Sequence, residues 1–206
     1  MKLILASDFS FLLKYGYDMT GILRSEMKIG YVTTASKGSK DKTFYEKVKN
    51  SMREDNFAFE EIDIEKKSKD EMLNFFKNKN VIHVEGGNTF YLLKAIRETG
   101  FAEVLKELLS EGKVYIGTSA GAYIMCPSIE VANWSETGRD RFGLTDFSAL
   151  NYVPFVLKVH YTDEEKFLVK NKMKTLKYPL RILRDGQGII KEDNKYTLLG
   201  GEEITL

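Results

Sequence analysis

The chain has 206 residues, enough for one domain with a sizeable core, and its 43% hydrophobic and 30% charged residues are the balance of an ordinary soluble globular protein. Lysine plus arginine number 31 against 30 for aspartate plus glutamate, so no basic excess points to nucleic acid, and no segment is long and apolar enough to point to a membrane. The single cysteine, Cys126, excludes an internal disulfide and a cysteine metal cluster, and with no signal-peptide pattern a cytoplasmic location is expected.

Lys2 to Ala6 is predicted as a first strand stopping at Ser7-Asp8, and Phe9 to Leu23 as a short irregular helix. Lys28 to Thr34 reads as a second strand, followed by a Ser/Gly/Lys loop. Asp41 is placed to cap a helix over Lys42 to Glu54, with Phe44, Tyr45, Val48 and Met52 at helical spacing. Phe59 to Ile64 alternates apolar and acidic residues, as a strand with one wetter face does. Ser68 and Glu71 form a capping box for a helix through Phe76. Val81 to Val84 is a strand and Glu85 to Asn88 a loop. Helices then run from Thr89 to Thr99, ended by Gly100, and from Ala102 to Ser110, ended by Gly112.

The next strand, Val114 to Ile116, runs into Gly117-Thr118-Ser119-Ala120-Gly121-Ala122 and then an apolar stretch that starts a helix. Beyond it, Pro127 to Asp146 has no clear period and reads as strands and loops around a site mouth. Tyr152 to Tyr161 is predicted as an apolar strand ending in a histidine. Asp163 to Leu176 should be an amphipathic helix, with Phe167, Met173 and Leu176 inward. Short strands follow at Arg181 to Leu183, Gly188 to Lys191, Lys195 to Leu199 and Glu203 to Leu206, with a hairpin around Glu192-Asp193-Asn194. No linker or repeat divides residues 1–206, so a single domain is expected. Short strands alternating with amphipathic helices predict an α/β fold, a three-layer α/β/α sandwich with a mostly parallel central sheet. Ligands in such sheets bind beyond the carboxyl ends of the strands, where both the Gly86-Gly87 loop and Ser119 fall.

Glycines two residues either side of Ser119 give G-x-S-x-G between a strand and a helix, the pattern of a nucleophile elbow. A serine hydroxyl needs a base, and the chain offers two histidines. His83, inside an apolar strand, reads as a core histidine. His160, at a strand end beside Thr162 and Asp163, is the candidate base. The acid that would orient it is not singled out: Glu130, Glu136, Asp140, Asp146, Asp163 and Asp185 all follow the serine. Amides at Gly86-Gly87 and Ala120 could form an oxyanion hole. No metal-ligand spacing or phosphate-loop pattern is present, so no cofactor or metal is expected.

Two stretches together, VEGGNTF at 84–90 and YIGTSAGA at 115–122, resemble the peptidase E (dipeptidase E) family, as do Cys126-Pro127 and the segment from Ala149-Leu150-Asn151 to His160. That resemblance implies a class I glutamine amidotransferase-like fold and a cytoplasmic serine exopeptidase acting on small peptides. It implies Ser119 as nucleophile, His160 as general base, and the Gly87 and Ala120 amides as oxyanion hole. The sequence departs from the family where its aspartate would follow an asparagine, because Asn133 precedes Trp134; Glu136 or Asp140 are then the candidate third acids. Glu130 stands where the family carries a basic residue, which disfavours an N-terminal aspartyl substrate by like-charge repulsion. Two alternatives share the scaffold, a degenerate peptide- or amino-acid-binding module and a cyanophycinase-like amide hydrolase. A monomer or homodimer is expected.

Overall fold

The computed structural model describes residues 1–39, 43–134 and 140–206. Its first strand, β1 (Lys2–Ala6), shows why the strands lack alternation. Successive side chains point to opposite faces, and here Leu3 and Leu5 enter one core while Ile4 and Ala6 enter another. A strand buried on both faces reads as a continuous apolar run.

Strands β2 (Lys28–Val32), β3 (Ala58–Ile62), β4 (Val81–Val84) and β5 (Val114–Thr118) lie parallel to β1, and the hairpin of β8 (Gly188–Glu192) and β9 (Lys195–Leu199) adds an antiparallel flank. The order across the sheet is β3-β2-β4-β5-β1-β8-β9. From β1 the chain therefore moves outward to β2 and β3, then turns back to β4 and β5. Right-handed crossovers place helices on one face for the outward moves and on the other for the return. Accordingly α1 (Phe9–Phe11), which continues into a π turn at Leu12–Gly16, and α2 (Thr43–Glu54) cover the Ile4, Ile29 and Ile116 face. Helices α3 (Lys69–Phe76), α4 (Thr89–Thr99) and α5 (Phe101–Ser110) cover the Leu5, Val84 and Tyr115 face. The result is the expected three-layer sandwich. The capping box at α3 is formed, Ser68 Oγ accepting from the Glu71 N–H at 3.2 Å and Glu71 Oε2 from the Ser68 N–H at 2.9 Å.

Four expectations change. Only β6 (Val156–Lys158) of the 152–161 stretch is a strand, and it pairs with β7 (Leu180–Ile182) in a separate two-stranded sheet. Pro154 has no N–H to give a ladder, and the N–H groups of Tyr152 and Val153 turn back to the Met125 carbonyl instead. Among the described residues Glu203 to Leu206 pairs with no strand; Ile204 and Leu206 pack against the Tyr161, Val169 and Ile182 cluster. Phe167 is 80% exposed, and Val169 is the buried residue of α7 (Lys166–Lys172). Between Pro127 and Asp146 the described residues hold a 3-10 turn at Glu130–Trp134 and one isolated bridge, Ser128 to Ser148, in place of strands. Asp41, expected as a helix cap, lies outside the described residues.

Candidate active site

β5 ends at Thr118, and a short helix, α6 (Ala120–Tyr123), starts one residue later. So abrupt a turn brings backbone onto backbone. A Cβ on Gly117 would meet the Gly121 carbonyl, and a Cβ on Gly121 would meet the Val84 carbonyl of β4. The two glycines of the motif are thus the condition for the helix to sit on the strand ends. Ser119, between them, has φ 47° and ψ −104°, a region that costs a non-glycine residue roughly 1–3 kcal/mol. The surroundings hold it there: its N–H donates to the Ala6 carbonyl at 3.0 Å, and its carbonyl accepts from Ala122 and Tyr123 at 2.9 and 3.0 Å. Tyr115 Oη donates to the Gly121 carbonyl at 2.7 Å from inside the core.

The hydroxyl raised on this crest faces His160, with Ser119 Oγ 3.0 Å from His160 Nε2. The other ring nitrogen, Nδ1, lies 2.6 Å from Asp185 Oδ1. With Nδ1 protonated toward Asp185, Nε2 is free to accept the serine proton. His160, one residue past Val159 and with φ 54°, turns its ring out of β6 toward Ser119. Its N–H donates to Ser7 Oγ at 2.9 Å, while the same hydroxyl donates to Asp185 Oδ1 at 3.0 Å. Asp8 Oδ1 accepts the Gly186 N–H at 2.8 Å, so the residues after β1 clamp the turn that carries Asp185. The hydrogen bond from His160, more than any other contact, holds the Asp185 carboxyl below its ordinary range.

The acid beside the imidazole is therefore Asp185, one of the six acids that follow the serine but not one of the two, Glu136 and Asp140, that the resemblance leaves as candidates. Asp140 turns its carboxylate onto its own loop, accepting from the N–H groups of Phe142 and Leu144 at 2.8 and 2.7 Å. Glu136 lies outside the described residues. Ser7, a turn residue by its sequence, joins His160 and Asp185 through its hydroxyl. Nothing in local spacing marks either Asp185 or Ser7, because each meets His160 across a different part of the sheet.

Facing Ser119 is the turn after β4. A Cβ on Gly86 would lie 3.1 Å from Ser119 Cβ. Gly87 has φ 133°, and a Cβ there would collide with Tyr45 Oη and the Ala35 carbonyl, so only glycine fits. Tyr45 Oη donates to the Gly86 carbonyl at 2.6 Å. Among the described residues neither the Gly87 nor the Ala120 N–H is engaged in a hydrogen bond, and Ala120, as first residue of α6, has no partner within the helix.

His83 is the core histidine expected, fully buried between Tyr17 Oη at 3.3 Å and Thr118 Oγ1 at 3.4 Å, and burial lowers its pKa to about 3. Cys126 is also buried, and its thiol is pushed up and kept neutral. Tyr123 and Tyr161 are buried and Trp134 packs partly buried against two core clusters, so all three aromatics pack. Among the described residues no group of three His, Cys, Asp or Glu side chains could hold a metal ion, and no helix is long and apolar enough to cross a membrane.

Fold and comparisons together define a peptidase. The chain belongs to peptidase family S51, whose family model matches residues 7–205. It is 33% identical over 162 residues to an uncharacterized peptidase of Pasteurella multocida, covering 79% of this chain and 78% of that one. It is 31% identical over 139 residues to the peptidase E of a Nostoc species, covering 68% of this chain and 54% of the relative's length. A crystal structure of a Listeria monocytogenes EGD-e protein assigned to peptidase E superposes with a TM-score of 0.82 at 26% identity, covering 98% of both chains. The crystal structure of a peptidase from an acI-B1 Actinobacterium, at 15% identity and a TM-score of 0.72 over 97% of this chain and 87% of that one, shares the fold.

Proposed function

We propose that the chain is a serine-type exopeptidase that hydrolyses small peptides through an acyl-enzyme on Ser119. The observation that carries this reading is the unbroken run from Ser119 Oγ to His160 Nε2 at 3.0 Å and from His160 Nδ1 to Asp185 at 2.6 Å. In this reading Ser119 Oγ attacks the scissile carbonyl carbon and its proton passes to His160 Nε2. Asp185 fixes the ring tautomer and stabilises the imidazolium. The carbonyl oxygen, now an oxyanion, is received by the Gly87 and Ala120 N–H groups. The C–N bond then breaks, and the amine leaves with the proton from His160. Water repeats the sequence: it gives a proton to His160, attacks the ester carbonyl and releases the acid, and Ser119 recovers its proton.

Labelling with a fluorophosphonate tests the reading, because the probe reacts only with an activated serine. The wild-type protein should label at Ser119, and Ser119→Ala and His160→Ala should not. Asp185→Asn should label roughly 10³- to 10⁴-fold more slowly, the cost of the wrong imidazole tautomer. A folded wild type that stays unlabelled would overturn the acyl-enzyme and favour the binding module. The reading extends to substrate charge through Glu130, which would repel an acidic side chain. In a dipeptide panel, neutral N-terminal residues should be cleaved faster than aspartate, and preferred cleavage of N-terminal aspartate would refute that part.

A further inference from the structure

Glu85 is the one acidic residue buried completely among the described residues, and it lies immediately before the Gly86-Gly87 turn. Burying a carboxyl costs several kcal/mol unless donors surround it. Burial pushes the Glu85 pKa up, and three donors oppose that push. Tyr31 Oη donates to Oε2 at 2.6 Å. The other two donors share a single oxygen: Oε1 accepts the Gly86 N–H at 2.6 Å and the Thr118 hydroxyl at 2.8 Å. Gly86 lies in the turn just beyond β4 and Thr118 at the end of the neighbouring β5, and each is next to a group the reaction uses. Gly86 precedes the free Gly87 N–H, and Thr118 precedes Ser119. His83 completes the cluster, its Nε2 within 3.4 Å of Thr118 Oγ1 and 3.8 Å from Glu85 Oε2.

An apolar residue here would spare the cost of a buried acid but would leave two turns with nothing between them. We propose that Glu85 is a positioning residue: through Oε1 it ties the Gly86-Gly87 turn to the Thr118–Ser119 junction and holds the Gly87 amide in register with the serine. Its effect falls on stabilisation of the oxyanion, since it touches no substrate. The proposal rests on the acyl-enzyme reading of Ser119.

The rate of fluorophosphonate labelling tests it, because the phosphoryl oxygen of the probe occupies the oxyanion position as Ser119 attacks. Saturation kinetics separate the maximal labelling rate from the affinity for the probe. Glu85→Leu should lower the maximal rate about 10- to 100-fold, less than deleting an oxyanion donor outright, with probe affinity unchanged. Glu85→Gln keeps a carbonyl oxygen where Oε1 stands and should restore the rate to within about threefold. Thr118→Val cuts the same tie from the other strand and carries the test if Glu85→Leu does not fold; it too should slow labelling at unchanged affinity. Wild-type rates in Glu85→Leu or Thr118→Val would overturn the proposal and leave the acyl-enzyme standing. So would a Glu85→Gln protein as slow as Glu85→Leu. An unlabelled wild type would overturn both together, so the two failures are told apart by the wild-type lane.

Discussion

Ser119 holds an unfavourable backbone conformation, φ 47° and ψ −104°, and the strain persists because four neighbouring groups fix the turn. Strain of this kind is a measurable quantity. Ser119→Gly removes it, whereas Ser119→Ala keeps a Cβ in the same region. Allowing for the greater flexibility of glycine in the unfolded chain, Ser119→Gly should be about 1 kcal/mol more stable than Ser119→Ala, roughly 2–4 °C in Tm. Equal melting temperatures in the two variants would show that the turn carries no strain. The serine and His160 were legible in the sequence because each sits next to an apolar strand and a run of small or polar residues. Asp185 was not. It follows the short β7 with no local pattern to mark it, and what distinguishes it is contact across the fold, with an imidazole 25 residues away at 2.6 Å and with the Ser7 hydroxyl at 3.0 Å.

The strand–turn–helix unit depends on contact between backbones. The Gly121 position lies against the Val84 carbonyl, so Gly121→Ala forces β4 and α6 apart, and the cost should be about 2–4 kcal/mol. Chemical denaturation would measure it, and a variant as stable as wild type would mean that the helix can shift at no cost. Elements with a strong local signal stand where the sequence predicts them: the capping box at Ser68, the Gly100 stop of α4 at φ 71°, and the fully buried strand Val81–Val84. Elements defined by their partners do not. Tyr152 to Tyr161 is apolar throughout, yet Pro154 and the return of the chain to the Met125 carbonyl leave only three residues to pair with β7. Phe167 reads as core on a helical wheel, but α7 follows a 3-10 turn at Asp163–Glu165 that rotates its face, and the ring is 80% exposed.

Across the whole molecule, the buried His83 couples stability to pH. Its folded pKa is lowered to about 3 by burial, so between that value and the ordinary histidine range the unfolded chain binds a proton that the folded chain does not. Its contribution to stability is therefore full above the unfolded value and is lost as pH falls, with a slope of about 1.4 kcal/mol per pH unit. Glu85 has a raised pKa and works in the opposite sense, its contribution being lost as pH rises. The difference between wild type and His83→Gln isolates the histidine from that opposing acid. The stability advantage of wild type measured at pH 6.5 should shrink toward pH 4, by denaturant titration at each pH. A difference that stays constant over that range would show that His83 titrates at its ordinary value.

Composition shows no basic excess that would point to nucleic acid, a single cysteine excludes an internal disulfide, and the alternation of short apolar strands with helices predicts the three-layer class, because periodicity and capping are local properties of a chain. The pair of motifs around Gly87 and Ser119 is where the chain resembles the peptidase family, and their glycines are a local signal too, since close backbone approach demands glycine at set positions. What only the tertiary structure decided was which acid meets His160, that Ser7 binds both His160 and Asp185, and that Glu85 joins two strand ends. Each of these contacts links residues from different strand ends or the turns beyond them. Sequence distance carries no information about such a meeting, because it is created when parallel strands bring their carboxyl ends to one edge.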